Sequence, residues 1–213
     1  MRALYTFFRS STSYRVRIAL ALKGLEWEPR TVSLPGMAHR TAEYFDVNPQ
    51  GLVPTLVEEG VALAQSLAIL EYLEERYPEP PLLPKDIGAR AYVRSLSDII
   101  ACDIHPLNNV RVLKWLRSEW KHSEDETNVW YAHWIAEGFR SFEATLAKAG
   151  RHGLYCLGDT ITMADVCLVP QIANARRFNC DLSAFPLSVA IADRAAALPA
   201  FDKAAPAKQP DAL

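Results

Sequence analysis

The sequence predicts an α+β protein with two domains, a small mixed domain followed by an all-helical one. Strand-like and helix-like periodicities alternate as far as residue 77. A proline-rich stretch at 78–84 then interrupts every periodicity, because proline neither donates to a β-ladder nor continues a helix. Only helical patterns follow, so we predict domains at 1–80 and 87–213.

The predicted order of elements in the first domain is βαβ followed by ββα. A helix between the first two strands implies a parallel pair, because crossover connections join parallel strands. The tight turn at 58–60 suits an antiparallel hairpin, and Lys23-Gly24 is typical of a helix end. The predicted strands are 3–8, 27–33, 53–58 and 61–63, and the predicted helices are 13–23, 40–46 and 65–77.

The second domain shows helical spacing of apolar residues throughout. We expect a kink at His105-Pro106, because proline removes an intrahelical hydrogen bond. Thr162 followed by Asp165 is typical of a capping box, so we interpret Asp165 as structural. The predicted helices are 88–120, 126–149, 162–178, 186–197 and a short one near 200–205.

Composition narrows the function classes. The chain has 213 residues, half of them hydrophobic, and a formal net charge of −2, which suits a globular core. It has no polybasic block, so nucleic acid and anionic membrane are poor partners. It also has no apolar run of membrane-spanning length and no apolar signal region at the N-terminus. We expect a soluble, cytoplasmic protein.

Neither cysteines nor histidines are spaced as metal ligands. The cysteines form no CxxC pair, and the histidines form no HExxH motif. We therefore expect no metal site, no disulfide framework, and buried thiols. The residues concerned are Cys102, Cys156, Cys167 and Cys180, with His39, His105, His122, His133 and His152.

The most informative segment lies between the first predicted strand and helix. Hydroxyl residues 10–13 follow Arg9 at the helix start, with no acidic residue among them. Unpaired N–H groups and the positive end of the helix dipole gather at such a place and stabilise an anion. One hydroxyl is needed as a cap, and the run exceeds that need. We predict a site for a thiolate or a carboxylate.

Two further features of the first domain point to a ligand. Pro54 opens a predicted strand and is a candidate for a cis bond, which would turn the Val53 N–H and C=O toward an extended peptide; an ordinary trans proline is the alternative. Gln65-Ser66 begins the next helix, where a hydroxyl and N–H groups could bind a carboxylate, unless Ser66 only caps the helix.

Together these motifs resemble those of the glutathione transferases. The first domain resembles the thioredoxin-like, glutathione-binding domain of that superfamily, and the linker and helical domain extend the resemblance over nearly the whole chain. Within it, the sequence resembles the zeta class and the bacterial maleylacetoacetate isomerases of that class. The segments that carry this resemblance are 10–20, 48–54, 65–69, 103–109 and 169–178.

The resemblance implies that glutathione is the cofactor. It places the thiol near Ser10, Ser11 and Thr12, with Arg9 beside them as catalytic residues. The remaining implied cofactor-binding residues are Val53 and Pro54 for the main chain, Gln65 and Ser66 for the γ-glutamyl end, and His39, Asn108 and Asn109, with His105 in either a site or a packing role. Many zeta members have a cysteine at the position of Thr12, so a mechanism that needs a protein thiol there is excluded.

The implied reaction is the glutathione-dependent cis–trans isomerisation of maleylacetoacetate to fumarylacetoacetate. The thiolate adds reversibly to the double bond of the cis-ene diketo acid, so glutathione is not consumed. Arg9, Arg176 and Arg177 are the candidates that bind the substrate carboxylates, unless the last two are solvated surface. Arg15 and Arg17 are expected to serve packing or pairing roles.

Alternatives stay open at this point. Val110 is apolar where a small diacid would benefit from a cation, which favours maleylacetoacetate over maleylpyruvate. Conjugation or dehalogenation of small electrophiles such as α-halo acids uses the same thiolate, and a non-catalytic interaction protein of this fold is the third possibility. The resemblance also implies a homodimer, and a place in aromatic breakdown through homogentisate, as in tyrosine degradation, or through gentisate.

Overall fold

The computed structural model describes residues 2–212 of the chain and divides into two compact units. One unit contains the residues up to Leu82 together with those from Ala197 onward, and the other is Leu83–Ala196. The sequence-based boundary put the last residues in the helical domain. They pack on the first unit instead, because the hydroxyl of Tyr14 donates to the Phe201 carbonyl and Arg17 donates to the Ala204 carbonyl.

The first unit contains a four-stranded mixed sheet in the order β2-β1-β3-β4. As predicted, β1 and β2 are parallel, while β3 pairs antiparallel with both β1 and β4. Glu59 and Gly60 both have positive φ, which matches the right-handed twist of a two-residue hairpin. The strands are β1 Ala3–Thr6, β2 Glu28–Thr31, β3 Thr55–Glu58 and β4 Val61–Ala64.

The helices of the first unit are α1 Ser11–Leu22, α2 Ala42–Val47, α3 Ser66–Arg76 and α9 Pro199–Ala204. The first strand is shorter than predicted because the chain turns after Thr6, with the Ser10 N–H bonded to the Phe7 carbonyl at 2.9 Å. Helix α1 consequently begins two residues before the predicted position. It ends as predicted, with Gly24 in the left-handed region.

The second unit is helical, as expected, but its first helix is not continuous. The prediction of one helix over 88–120 with a kink is wrong: a π-helical segment over Ile99–Ile104 is followed by a turn, and a new helix begins after Asn109. Pro106 cannot supply the N–H that would continue the helix. The helices are α4 Ile87–Asp98, α5 Val110–Ser118, α6 Glu124–Ala149, α7 Met163–Arg177 and α8 Pro186–Ala196.

The thiols are only partly as expected. Cys156 and Cys167 are buried, whereas Cys102 is exposed and Cys180 is half-buried. In the part of the chain that the structure describes, no cysteine forms a disulfide. Among residues 2–212, no helix is both long enough and apolar enough to cross a bilayer.

Candidate functional site

The start of α1 carries a chain of hydrogen-bonded hydroxyl groups. Ser10 caps the helix, and its Oγ accepts the N–H of Ser13 at 3.2 Å. The Ser10 and Thr12 hydroxyl oxygens lie 2.9 Å apart, and Thr12 Oγ1 donates to the Val53 carbonyl at 3.1 Å. Because the one Thr12 proton goes to Val53, Ser10 is the donor between the two hydroxyls.

This helix end holds no negative charge of its own. The first turn of α1 contains no acidic residue. Within residues 2–212, the N–H of Thr12 donates to no acceptor, and the buried hydroxyl of Ser13 has no partner. Arg9 lies just outside, exposed, with its guanidinium 5.0 Å from the centre of the Phe8 ring. The helix dipole, the N–H groups and this cation together favour an anion such as a thiolate.

The predicted cis bond is confirmed at Val53-Pro54. Val53 is buried, and its two backbone groups differ in what they contact. The carbonyl accepts the Thr12 hydroxyl, which differs from the expectation that it would face a ligand. The Val53 N–H has no acceptor among the described residues. The N–H is therefore the main group that Val53 can offer to a peptide-like ligand.

Buried polar side chains shape the loop that leads to Val53. The Nδ2 of Asn48 donates to the Leu52 carbonyl at 2.8 Å and to the Thr55 hydroxyl at 3.0 Å. The Tyr44 hydroxyl donates to the same Leu52 carbonyl at 2.6 Å. Burial raises the pKa of Tyr44, so its phenol stays a donor. Sequence reasoning included Asn48 only within a family motif and missed Tyr44.

His39 lies in a short 3-10 turn, Ala38–Arg40, that precedes α2. The residue is buried, and its carbonyl approaches Gly51 so closely that a Cβ added there would lie 2.8 Å away. Gly51 also has a φ of +58°, which glycine adopts without strain. Gly51 thus lets the turn that carries His39 pack against the loop before Val53. The predicted contact between His39 and a ligand stays a prediction.

The start of α3 combines backbone strain with a buried cation. Gln65 has φ 72° and ψ 116°, a conformation that non-glycine residues rarely adopt, and such strain clusters at ligand sites. Its side chain donates to Gln50 Oε1 at 2.9 Å. The hydroxyl of Ser66 accepts from Arg15 Nη1 at 3.2 Å, and Arg15 is only 1% exposed. Ser66 is therefore not the helix cap, and a positive charge lies behind this helix end.

The three predicted cofactor-binding residues of the second unit lie in the break before α5. Asn109 caps that helix, since its Oδ1 accepts the Arg111 N–H at 3.0 Å, and its Nδ2 lies 3.3 Å from His105 Nε2. Asn108 is buried and donates to the Tyr131 carbonyl at 3.1 Å. Each amide thus has a structural contact, and a contact with a cofactor stays a prediction for all three.

The two adjacent arginines of α7 differ. Arg176 forms a two-pronged ion pair with Asp193, at 2.6 and 3.0 Å, which raises the pKa of Arg176 and lowers that of Asp193. Arg177 lies over the Phe178 ring at 4.4 Å and donates to Asn174 Oδ1 at 3.4 Å. Of the two arginines of α7 that were predicted to bind a substrate carboxylate, Arg176 is therefore already paired with an acidic side chain.

The interpretation of Asp165 as structural is confirmed. Its carboxylate is fully buried and accepts three hydrogen bonds, from the Cys156 N–H at 2.9 Å and from the N–H and hydroxyl of Thr162, both at 2.8 Å. Burial raises the pKa of Asp165, and these donors act against that rise. The side chain is fully occupied in holding the start of α7.

Known proteins resemble both the first unit and the whole chain. Residues 9–76 match the family model of the glutathione S-transferase N-terminal domain. The chain is 49% identical to the maleylacetoacetate isomerase of Pseudomonas aeruginosa, over 98% of this chain and 97% of that protein. It is 48% identical to a maleylpyruvate isomerase from a Ralstonia species, over 98% of each. The mouse maleylacetoacetate isomerase is 46% identical, over 98% of this chain and 94% of that protein.

Solved structures agree with the sequence relatives. A holo maleylpyruvate isomerase, described as a bacterial glutathione S-transferase in the zeta class, matches with a TM-score of 0.96 and 47% identity, covering 99% of this chain and all of that one. A maleylacetoacetate isomerase from Methylobacterium extorquens with bound malonate and GSH matches with a TM-score of 0.96 and 36% identity, over 99% of both chains. The predicted resemblance is confirmed, and the chain belongs to the zeta class of the glutathione S-transferase family.

Proposed function

We propose that this protein converts maleylacetoacetate to fumarylacetoacetate as a glutathione-dependent cis–trans isomerase. The observation that carries the proposal is the start of α1, where hydroxyls and the unpaired N–H of Thr12 meet without an acidic residue. A site of this kind lowers the pKa of a thiol bound there. Relatives with 46–49% identity that are named maleylacetoacetate isomerase support the choice of reaction.

The described residues of the first unit fit a bound glutathione. Its thiol suits the positive end of α1, and its extended main chain suits the buried Val53 N–H, which has no acceptor in the described part of the chain. Its γ-glutamyl carboxylate suits the start of α3, where Arg15 stands behind Ser66 and Gln65 is strained. Three different groups of one tripeptide thus meet three suitable surfaces.

When bound, glutathione supplies a thiolate that adds reversibly to the conjugated double bond, so that rotation and elimination give the trans product. The protein's part is to hold that sulfur charged and in place. Ser10 can turn its hydroxyl from Thr12 toward the sulfur by rotation about a single bond, while Thr12 stays bonded to Val53. Ser11, buried in the first helical turn, is the second hydroxyl of this end.

Arginines supply the positive charge that the substrate requires. Arg9 is exposed next to the α1 start and stabilises negative charge that develops on a substrate oxygen. In the second unit, Arg176 and Arg177 are the candidates to bind a substrate carboxylate, and Arg176 would exchange its pairing with Asp193 to do so. Guanidinium groups suit this task because their planar fork meets both carboxylate oxygens.

Maleylpyruvate is the second candidate substrate. The Ralstonia relative and the holo zeta-class structure are both named maleylpyruvate isomerase, which favours it. Val110, exposed at the start of α5, supplies no cation for a smaller diacid and favours maleylacetoacetate. The ratio of kcat/KM for the two substrates decides between them. A larger kcat/KM for maleylpyruvate would make maleylpyruvate the preferred substrate.

We further propose a homodimer that acts in the cytoplasm, in aromatic amino-acid breakdown such as tyrosine degradation. The family resemblance supports this assignment. Sedimentation that shows a stable monomer at micromolar concentration would contradict the dimer.

The function is tested by following maleylacetoacetate absorbance in a coupled assay with fumarylacetoacetate hydrolase. Glutathione is added in an amount far below that of the substrate, with a glutathione-free reaction as the control. We expect product in large excess over glutathione, and none without it. Loss of thiol in proportion to product would indicate a conjugating transferase, and no turnover would contradict the proposal.

A further inference from the structure

The segment after α9 reaches the turn that carries Arg9 and Ser10. The Phe8 N–H donates to Asp211 Oδ2 at 3.0 Å, a contact across 203 positions of sequence. The Phe8 carbonyl accepts from Arg17 Nη2 at 3.1 Å. A carboxylate and a guanidinium thus hold both backbone polar groups of the residue before Arg9.

Arg17 forms hydrogen bonds both with this turn and with the C-terminal part of the first unit. The residue is 1% exposed, and it also donates to the Thr6 hydroxyl at 3.1 Å and to the Ala204 carbonyl at 2.9 Å. Burial lowers the pKa of Arg17 to about 10, and nearby Asp211 acts against that fall, so the group stays charged at neutral pH. Its hydrogen bonds are therefore charge-assisted, which makes them stronger than neutral ones.

Hydrogen bonds of the residues on either side of Asp211 order this segment. The side-chain amide of Gln209 donates to the carbonyls of Lys203 and Ala205 at 3.1 and 3.0 Å. The Ala212 N–H then bonds back to the Gln209 carbonyl at 3.1 Å. The segment therefore presents the carboxylate to Phe8 in a defined geometry.

We propose that Asp211 and Arg17 are positioning residues for the thiol site, which they serve by fixing the Phe7–Ser10 turn through Phe8. The turn closes with the Ser10 N–H on the Phe7 carbonyl at 2.9 Å, so a shift of Phe8 moves both the cap hydroxyl and Arg9. This inference rests on the proposed function to the extent that the site is taken to activate glutathione. Neither residue touches the reacting atoms.

The test compares Asp211→Ala with Asp211→Asn, whose amide oxygen can still accept from Phe8. Asp202→Ala is the matched control, because Asp202 lies in α9, just before this segment, and its exposed carboxylate forms a loose ion pair with Lys208 at 3.9 Å. The ultraviolet absorbance of the thiolate gives the thiol pKa of bound glutathione. Affinity for S-methylglutathione measures binding without a thiol, and thermal unfolding measures stability.

For Asp211→Ala we expect the pKa of the bound thiol to rise by about one unit, which lowers the thiolate fraction about tenfold at a pH below both pKa values. The kcat/KM should fall by a similar factor and recover at higher pH, while S-methylglutathione affinity changes less than about twofold. Asp211→Asn and Asp202→Ala should retain the wild-type thiol pKa.

An unchanged thiol pKa in a folded Asp211→Ala protein would overturn the inference, even if its stability fell. A lowered thiol pKa would overturn it as well, because loss of a nearby negative charge alone has that effect. If that variant does not fold, Asp211→Glu keeps the charge and displaces it by one methylene, and an unshifted thiol there is equally contradictory. The titration needs no isomerase substrate. A wild-type protein that lowers the thiol pKa but does not isomerise would therefore refute the proposed function and leave this inference standing.

Discussion

Helices α1 and α7 both have a hydroxyl residue as N-cap, Ser10 and Thr162, but only α7 has an acidic residue in its first turn. At α7, the buried carboxylate of Asp165 accepts from Thr162 and Cys156 and so supplies the negative charge from within the chain. At α1, Ser10 satisfies one N–H and no acidic residue follows. A helix that contains its own anion is closed to a ligand, whereas one that offers only hydroxyls stays open to a charged ligand.

The largest effect is expected where the internal anion is removed. Asp165→Ala leaves the N–H groups of Thr162 and Cys156 buried without an acceptor, which should lower the free energy of unfolding by about 3 kcal/mol. Calorimetric melting measures the loss. Asp181→Ala is the control, because that carboxylate is exposed and its hydrogen-bond partner is the exposed Ser183. Equal melting temperatures for the two variants would contradict a structural role for Asp165.

The reverse change gives α1 an anion of its own. Ser10→Asp should keep the helix stable, because aspartate caps as well as serine does. A carboxylate beside the bound sulfur should raise the pKa of the thiol by about two units and lower kcat/KM about a hundredfold at a pH below both pKa values. Ser123→Asp places the same residue at the cap of α6 and should leave both values unchanged. An active Ser10→Asp enzyme would remove the contrast between the two helix ends.

A smaller effect is expected from the link between α1 and the cis-proline strand. Thr12→Val keeps the branched shape but removes the donor to the Val53 carbonyl, so Kd for glutathione should rise about fivefold, equivalent to about 1 kcal/mol. Thr12→Ser retains the hydroxyl and serves as the control in a binding titration. A loss of kcat with unchanged glutathione affinity would instead mean that Thr12 acts on the sulfur directly.

The smallest effect concerns α6, a third helix that supplies its own acid. The Ser123 N–H bonds to the Glu126 carboxylate and lowers its pKa, with further help from the Ser123 hydroxyl and His122. A carboxylate whose pKa is lower in the folded than in the unfolded state stabilises the fold at pH values above its unfolded-state pKa. This stabilisation is lost as the pH falls through the folded-state pKa. Glu126→Gln should therefore melt slightly lower than wild type at neutral pH and equally in acid. Glu124→Gln, in the same turn, is the control.

Local patterns predicted the parts of the site that depend on neighbouring residues. Hydroxyls before an apolar helix predicted a capped helix start within residues 10–13, and a proline at a strand start made Val53-Pro54 a candidate for a cis bond, with trans as the alternative. The break after Ile104 was underestimated, because apolar spacing continues through the π-helical segment and only Pro106 signals the interruption. The spacing of apolar residues shows which side chains are buried. It does not show whether the backbone is α-helical or π-helical.

Contacts between distant positions could not be predicted in this way. Nothing near Phe8 shows that Asp211 accepts its N–H, and nothing near Arg176 shows that Asp193 neutralises it. The resemblance to a family identified the glutathione-binding positions, but not the bond from Thr12 to the Val53 carbonyl. Such pairs form only through the tertiary fold, and a single sequence contains no local pattern that predicts which distant residues meet.

The most direct test of the account is the thiol pKa of glutathione bound to the wild-type protein, measured by ultraviolet titration of the thiolate. The hydroxyls and the uncompensated end of α1 should hold that pKa well below the value for glutathione in solution, so the bound cofactor is ionised at neutral pH. A bound thiol that titrates as it does in free solution would contradict the account.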